Sequence, residues 1–220
     1  MKWLQSVLIV LFSVLATQAA DWPQLQGDAL RSGNVPDVAL PDKLGLLGAV
    51  PLTDGVFASP VAAGGKVYAI DGAGVVTCVD AKSLDVLWRF TTRGGEGNCN
   101  NVATPAISGK FLHVGTTAGY YYVLNRDTGE VVRERDRREP IFAAPAVGDG
   151  RVYFATLGAQ VYAVEPDGQL CWTWDFLKEV VKFNGNRWSG EDWLKDRGGR
   201  VNWKDHFVCS RDICLIGKTI

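Results

Sequence analysis

The fold is decided by three tetrapeptides, Phe57-Ala58-Ser59-Pro60, Val102-Ala103-Thr104-Pro105 and Phe142-Ala143-Ala144-Pro145. Seven residues after each proline a second apolar run begins. Twenty residues after each proline a polar residue closes a third run, at Asp80, Asn125 and Glu165. The prolines stand at positions 60, 105 and 145, so the period is 45 and then 40 residues. This period matches the roughly 40 to 50 residues of a four-stranded propeller blade.

Each unit is predicted to contain four short strands. In the first unit these are residues 57–61, 66–70, 75–79 and 86–90, separated by turns rich in Gly and Asp. Short runs rich in Val, Tyr and Phe between such turns are typical of hairpin strands. The proline is placed inside the first strand, at an edge or end where its missing N–H is tolerated. The predicted fold is all-β, an incomplete β-propeller of four-stranded antiparallel blades.

Each unit has a small residue before its proline, and the chain also contains Gly65-Lys66-Val67-Tyr68, Asp127-Thr128-Gly129, Leu87-Trp88 and the opening Asp21-Trp22-Pro23-Gln24. In these residues the units resemble the PQQ-like (pyrroloquinoline-quinone-like) repeats of bacterial β-propellers. That family includes the outer-membrane assembly lipoprotein of the β-barrel machinery and the quinoprotein alcohol dehydrogenases. In the second blade Arg133 stands where the family has its closing Trp. The resemblance therefore does not imply that this blade docks on its neighbour through a tryptophan.

The N-terminus has the pattern of a secretory signal. Lys2 precedes an apolar run at residues 7–15, and small residues follow at 16–20. The run is shorter than the roughly 20 residues of a spanning helix, so cleavage after Ala19 or Ala20 is favoured over an uncleaved anchor. We therefore expect an exported protein, periplasmic or extracellular, with no membrane span after cleavage.

The chain divides into five predicted parts: a signal peptide (1–20), an N-terminal segment (21–55), three blades (56–175), a Trp-rich insertion (176–205) and a truncated fourth blade (206–220). Residues 176–183 carry apolar residues at helical spacing. Three and a half blades do not close a ring, so a truncated product or a fragment of a longer protein is expected.

Composition excludes several classes of function. Lys plus Arg number 23 against 24 for Asp plus Glu, so no basic excess is available for nucleic acid. Five cysteines include no C-x-x-C pair, which leaves zinc-ribbon and c-type haem sites without ligands. His113 is interpreted as a packed strand residue, and the charged run 133–139 as a solvated loop between blades. No catalytic residue, cofactor site or metal site is predicted.

Two candidate sites lie near the C-terminus. Trp188, Trp193 and Trp203 form either an interaction surface or a lid over the blade edges. If Arg211-Asp212 is a two-residue turn, Cys209 and Cys214 lie opposite each other across a hairpin, close enough for a disulfide. Separate buried thiols are the alternative.

The resemblance implies a non-catalytic protein-interaction or cell-envelope scaffold with a protein or envelope partner. The alternative is a fragment of a PQQ-dependent alcohol or sugar dehydrogenase. For that activity the resemblance implies eight blades, adjacent cysteines, a calcium site and a catalytic Asp. No two cysteines are adjacent in this chain.

Overall fold

The structure is a computed structural model that describes residues 20–36 and 43–185. Within these ranges the chain forms three four-stranded antiparallel sheets, each with its strands in sequence order. Blade 1 contains β1 (Val61–Ala63), β2 (Lys66–Ile70), β3 (Val75–Asp80) and β4 (Val86–Thr91); blade 2 contains β5 (Ala106–Ser108), β6 (Phe111–Gly115), β7 (Tyr120–Asn125) and β8 (Val131–Asp136); blade 3 contains β9 (Ala146–Gly148), β10 (Arg151–Ala155), β11 (Gln160–Val164) and β12 (Leu170–Asp175).

The sheets repeat one register. In each blade the second and third strands pair at the same repeat positions, as the pairs Tyr68↔Cys78, His113↔Val123 and Tyr153↔Ala163 show. Each blade also has an irregularity at the same place, where the third strand pairs with the fourth. The predicted incomplete propeller of four-stranded blades is therefore confirmed.

The first strand of each blade is innermost, because β1 lies beside β5 and β5 beside β9. The core lies between the blades. Alternate residues of β7 point to opposite faces, so Tyr122 and Leu124 pack on blade 1 while Tyr121 and Val123 pack on blade 3. Blade 2 is thus buried on both faces, which fixes its neighbours relative to one another.

The predicted position of the prolines inside the first strands is wrong. Pro60, Pro105 and Pro145 each lie one residue before the strand, which begins at the following residue. A proline has no N–H to donate to a ladder, so pairing starts only after it. The tetrapeptides that identify the repeat are therefore loops leading into the inner strands.

The prediction that residues 133–139 form a solvated loop is wrong for its first half. Arg133 to Asp136 belong to the outer strand β8, and only the rest leads into blade 3. Outer strands here are half-exposed, so a charged sequence is tolerated in one. The described residues also include a 3₁₀ turn at Gly95–Gly97, in the connection between blades 1 and 2, and a π-helix at Leu177–Val181, within the stretch with helical spacing.

Candidate functional site

Residues 21–24, which we call the N-terminal staple, bond to the inner strands of all three blades. Trp22 exchanges two backbone hydrogen bonds with Ala62 of β1, at 2.7 and 2.9 Å. The carbonyl oxygen of Pro23 accepts a 2.7 Å bond from the amide of Ile107 in β5. Gln24 reaches Val147 of β9 with its side chain. The three contacted residues each follow the repeat proline by two positions.

The side-chain amide of Gln24 bonds to the backbone of Val147 as a neighbouring strand would. Its amide nitrogen donates to the Val147 carbonyl at 3.2 Å, and its amide oxygen accepts from the Val147 N–H at 2.9 Å. The side chain is buried. Arg31 adds bonds of 3.1 Å to the carbonyls of Ala144 and Pro145. The innermost strands of a propeller lie around its central axis. The N-terminal segment therefore covers the axis-facing edges of β1, β5 and β9.

The junction between blades 1 and 2 is closed by a tryptophan. The indole nitrogen of Trp88 in β4 donates a 3.0 Å hydrogen bond to the carbonyl oxygen of Arg126. The ring packs on Gly129, where an added Cβ would lie 2.7 Å from ring atoms. Lys66 and Asp127 form a 2.6 Å ion pair across the same junction; this hydrogen bond holds the pKa of Asp127 below its usual range.

Arg133 takes the place of Trp88 at the junction between blades 2 and 3. Its Nε donates a 2.8 Å bond to the carbonyl oxygen of Asp167, and a second nitrogen lies 3.2 Å from the Asp167 carboxylate. Gly168 accommodates the arginine as Gly129 accommodates the tryptophan. The hydrogen bond from the Gln169 amide is the main cause that lowers the pKa of Asp167. Partial burial acts in the opposite direction, and the contact with Arg133 lowers the pKa further. The second blade therefore docks without the family's tryptophan.

An apolar rim, defined as Phe57, Val102 and Phe142, lies at the end of the blades where β4 leads to β5 and β8 to β9. These residues occupy the same repeat position, three before each proline. Phe57 is 60% exposed and Val102 41%. Val102 and Phe142 line an open pocket of about 500 Å³, together with Gly97, Cys99, Asn100 and Thr117. An exposed apolar side chain beside a concavity, such as Val102 beside this pocket, is typical of interaction sites.

A buried amide holds the loops of the rim in place. The side-chain nitrogen of Asn101 donates to the Gly72 carbonyl at 3.1 Å, and its oxygen accepts from the Thr117 amide at 3.0 Å. Thr117 in turn donates to the carbonyl of Cys99 at 2.7 Å. Turns of blades 1 and 2 are thereby joined to the connection between them, and Cys99 and Thr117 of this network also line the pocket.

His113 is fully buried in β6, as predicted for a packed strand residue. Its Nδ1 lies 2.7 Å from the hydroxyl of Tyr121. Burial lowers the pKa of His113 to about 3, so the imidazole is neutral at physiological pH. A neutral, enclosed imidazole on a tyrosine is a structural pair within the described residues, and no nucleophile accompanies it there.

The structure does not test the candidate site residues named from the sequence. Trp188, Trp193, Trp203, Cys209 and Cys214 lie outside the described residues, as does nearly all of the predicted signal peptide. Sequence reasoning missed the apolar rim and the staple. The rim had a signal, because an apolar residue precedes the small residue and proline in every repeat.

Two further findings apply to residues 20–36 and 43–185. No helix there is long and apolar enough to cross a membrane. No three His, Cys, Asp or Glu side chains in these ranges lie close enough to hold a metal ion.

Comparison with known proteins agrees with this geometry. Residues 49–140 match the family described as outer membrane protein assembly factor BamB. The BamB of Burkholderia pseudomallei is 33% identical over 117 residues, which cover 53% of this chain and 29% of that protein. Quinohemoprotein alcohol dehydrogenase ADH IIB of Pseudomonas putida is 26% identical over 182 residues, covering 69% of this chain and 26% of that one.

Among solved structures, BamB from Moraxella catarrhalis superposes with a TM-score of 0.50 at 23% identity, over 56% of this chain and 41% of the other. The repeated four-stranded sheets and their junctions define the class, a β-propeller of PQQ-like repeats. Within that class, residues 49–140 are similar to the outer membrane assembly factor BamB. The chain spans less than a third of the length of the two curated relatives named above.

Proposed function

We propose that this protein is an exported, non-catalytic scaffold that binds a protein partner in the cell envelope through its apolar rim. The rim carries the proposal. It places an apolar side chain at one repeat position before each of three blades, and two of these side chains, Val102 and Phe142, line an open pocket. Burial of such anchors in a partner supplies most of the binding energy in typical interfaces.

Two observations support a non-catalytic role. The inner strands of the three blades are hydrogen-bonded by the chain's own staple, so Trp22 to Gln24 occupy the edges at which a ligand of these strands would bind. The family match is to a protein named as an assembly factor. The secretory pattern of residues 1–20 supports export to the periplasm or beyond.

The rim is tested by photo-crosslinking in cells. A photoreactive amino acid at Val102 is expected to capture an envelope protein, which mass spectrometry then identifies. The matched control is Val132, which has a similar exposure, 44%, but lies on the outer strand β8 away from the rim. Capture of the same partner equally from both positions, or from neither, would contradict the proposal.

A dehydrogenase is the second candidate, favoured by the similarity to the Pseudomonas putida enzyme over 69% of this chain. The residues described offer no adjacent cysteines, and the described acidic side chains form no metal-sized cluster. We therefore derive no step through a quinone. The test is to incubate the purified protein with PQQ and calcium and to assay alcohol oxidation with an artificial electron acceptor. Turnover would overturn the non-catalytic assignment.

A further inference from the structure

Arg137, in the connection from β8 to blade 3, lies over buried aromatic rings. Its guanidinium carbon is 4.3 Å from the centroid of the Tyr162 ring and 5.6 Å from that of the Phe154 ring. These two rings stack within 9° of parallel, and Tyr121 also stacks on Phe154, with centroids 3.9 Å apart. A cation over aromatic faces is attracted to them, and the buried rings give it a rigid support. The position of the guanidinium is therefore fixed by packing.

The side-chain nitrogens of Arg137 have no protein partner within residues 20–36 and 43–185. None of them donates a hydrogen bond or forms an ion pair there. Of the three, only Nε is buried, so the two terminal nitrogens face solvent. A guanidinium is charged at neutral pH and carries five N–H donors, and withdrawing a charge from water costs free energy unless it is paired. The terminal edge of Arg137 is therefore able to bind an anion.

Three carboxylates close to Arg137 in the chain bond to other groups. They are Glu134, Asp136 and Glu139, whose partners are Arg93, the Arg138 amide and the Thr156 hydroxyl. Arg135 and Arg138 are exposed, and neither forms an ion pair in the described part of the chain. The solvent-facing side of this connection is therefore positively charged, and Arg137 is the cation there that packing holds in place.

Arg137 and the rim pocket flank the same turn of blade 2, residues 116–119. The carbonyl oxygen of Gly119 accepts a 2.8 Å hydrogen bond from the Arg137 amide, and Thr117 lines the pocket. Phe142, which also lines the pocket, follows Arg137 by five residues. A polypeptide whose apolar side chain occupies the pocket can therefore reach Arg137 with a neighbouring side chain.

A carboxylate is the anion that fits this guanidinium. Planar guanidinium groups present parallel N–H donors that match the two oxygens of a carboxylate. One fixed guanidinium balances the single charge of a carboxylate, whereas a phosphate group carries nearly two charges at pH 7. In a protein partner, Asp and Glu side chains supply this group.

We infer that Arg137 binds the carboxylate of an aspartate or glutamate side chain in the protein that occupies the apolar rim. The inference rests on the proposed function, because that partner supplies the carboxylate. The binding segment of the partner then combines an apolar side chain in the pocket with an acidic side chain on Arg137. Burial of the apolar side chain contributes affinity, whereas the charge pair fixes the register of the segment and selects among partners.

Binding of a carboxylate is measured by NMR on the full, unmodified chain. The probe is glutamate blocked as its N-acetyl amide, added to about 100 mM because a single ion pair binds weakly. Glutamine blocked in the same way is the neutral control, and inorganic phosphate is the second anion. The Nε–H signal of Arg137, identified by its loss in Arg137→Gln, is expected to shift saturably with blocked glutamate alone. No saturable shift, or an equal shift with phosphate, would overturn the carboxylate site.

Photo-crosslinking from Val102 in cells tests the same site with the partner. Arg137→Gln is expected to reduce capture of the partner at least about fivefold. Arg135→Gln is the matched control, since it removes the same charge from an exposed arginine of the same run, and capture is expected to change less than about twofold. Replacing the acidic residues of the captured segment by Asn or Gln is expected to reduce capture as Arg137→Gln does, with no further loss when the two changes are combined.

The outcomes separate this inference from the proposed function. If the unmodified protein captures a partner from Val102 and Arg137→Gln captures it equally well, the acidic contact is wrong and the rim remains an interaction site. If the unmodified protein captures nothing, the proposed function is contradicted and the inference falls with it. Loss of stability alone does not imitate the expected result, because the NMR titration is made on the unmodified chain.

Discussion

The Nε of Arg133 donates a 2.8 Å hydrogen bond to the carbonyl oxygen of Asp167 in the next blade. Trp88 makes the same contact with Arg126 one junction earlier, through its indole nitrogen at 3.0 Å. Both side chains are planar, both carry an N–H that lies in that plane, and both cover a glycine. The junction therefore requires a flat donor over a glycine, and an arginine meets that requirement.

Arg133→Ala is expected to lower the free energy of unfolding by about 1–2 kcal/mol, because it removes the donor and leaves the Asp167 carbonyl without it. The ion pair itself contributes little, since both side chains are partly exposed. Arg133→Trp, which restores the donor of blade 1, is expected to stay close to the unmodified protein. Urea unfolding measures both. Arg135→Ala, an exposed change on the same strand, is the control; an equal loss there would refute a docking role for Arg133.

Gly129→Ala is expected to destabilise the protein more than Gly65→Ala does. Both glycines have positive φ, 76° and 73°, so the backbone strain of an added Cβ is nearly equal. Only at Gly129 does the Cβ meet a neighbour, the ring of Trp88, whereas the space around Gly65 is open. Overpacking of this kind costs about 1–3 kcal/mol. Equal unfolding free energies for the two variants would show that Trp88 does not pack there.

Much of this fold was predictable because the repeat is visible in the sequence. A fixed distance from each proline locates the second and third strands, and alternating apolar residues fix their faces. The inner strands were misplaced because an apolar tetrapeptide ending in proline looks like a strand, while pairing needs the N–H that proline lacks. The strand character of residues 133–136 was missed because an outer strand loses little by being charged.

The staple could not be predicted from local pattern. Trp22, Pro23 and Gln24 show no strand periodicity, and their partners lie 40 to 123 residues away, at Ala62, Ile107 and Val147. A contact that depends on three blades being assembled leaves no trace in the spacing of neighbouring residues. The apolar rim is intermediate, since its repeat position is visible but its exposure is not.

Gln24→Ala is expected to lower the free energy of unfolding by about 1–2 kcal/mol, because the partly buried N–H and carbonyl of Val147 both lose their partner. Gln26→Ala is the matched control, an exposed glutamine two residues further along the chain. Chemical denaturation followed by tryptophan fluorescence compares the two. If the two variants were equally stable, the staple would not contribute to holding blade 3.

The His113 imidazole makes stability fall with acidification. Its pKa is about 3 in the folded protein because of burial, against about 6.5 when unfolded. The contribution is fully present above pH 6.5, and it is lost as the pH falls towards 3, since only the unfolded chain takes up the proton. His113→Asn removes this titration. Between pH 7.5 and 4.5 the unmodified protein is expected to lose about 2–3 kcal/mol more than the variant in urea unfolding.

Equal pH dependence of the two proteins would contradict the burial of a neutral imidazole. The comparison is made as a difference of differences, because the smaller asparagine also leaves a cavity. That loss is the same at every pH, so it cancels. Carboxylates that titrate in the same range are present in both proteins and cancel as well.

Thiol titration addresses the predicted Cys209–Cys214 disulfide and the described cysteines together. Cys99 is exposed and is expected to react first with a thiol reagent. Cys78 is buried, and burial raises its pKa to about 11, so it is expected to react only on unfolding. The chain has five cysteines. In the denatured, oxidised protein a bridge leaves three reactive thiols, and its absence leaves five.

Cys209→Ser separates the two cases by the direction of change. If Cys209 and Cys214 are joined, the substitution frees Cys214, and the count in the denatured protein rises from three to four. If they are separate thiols, the substitution removes one, and the count falls from five to four. The variant gives four thiols in either case. The count in the unmodified protein therefore decides between the two cases, and the count of four in the variant checks that the reagent reaches every thiol. A count of five in the unmodified protein would refute the bridge, because all five cysteines would then be free thiols. Export to an oxidising compartment permits a disulfide but does not require one.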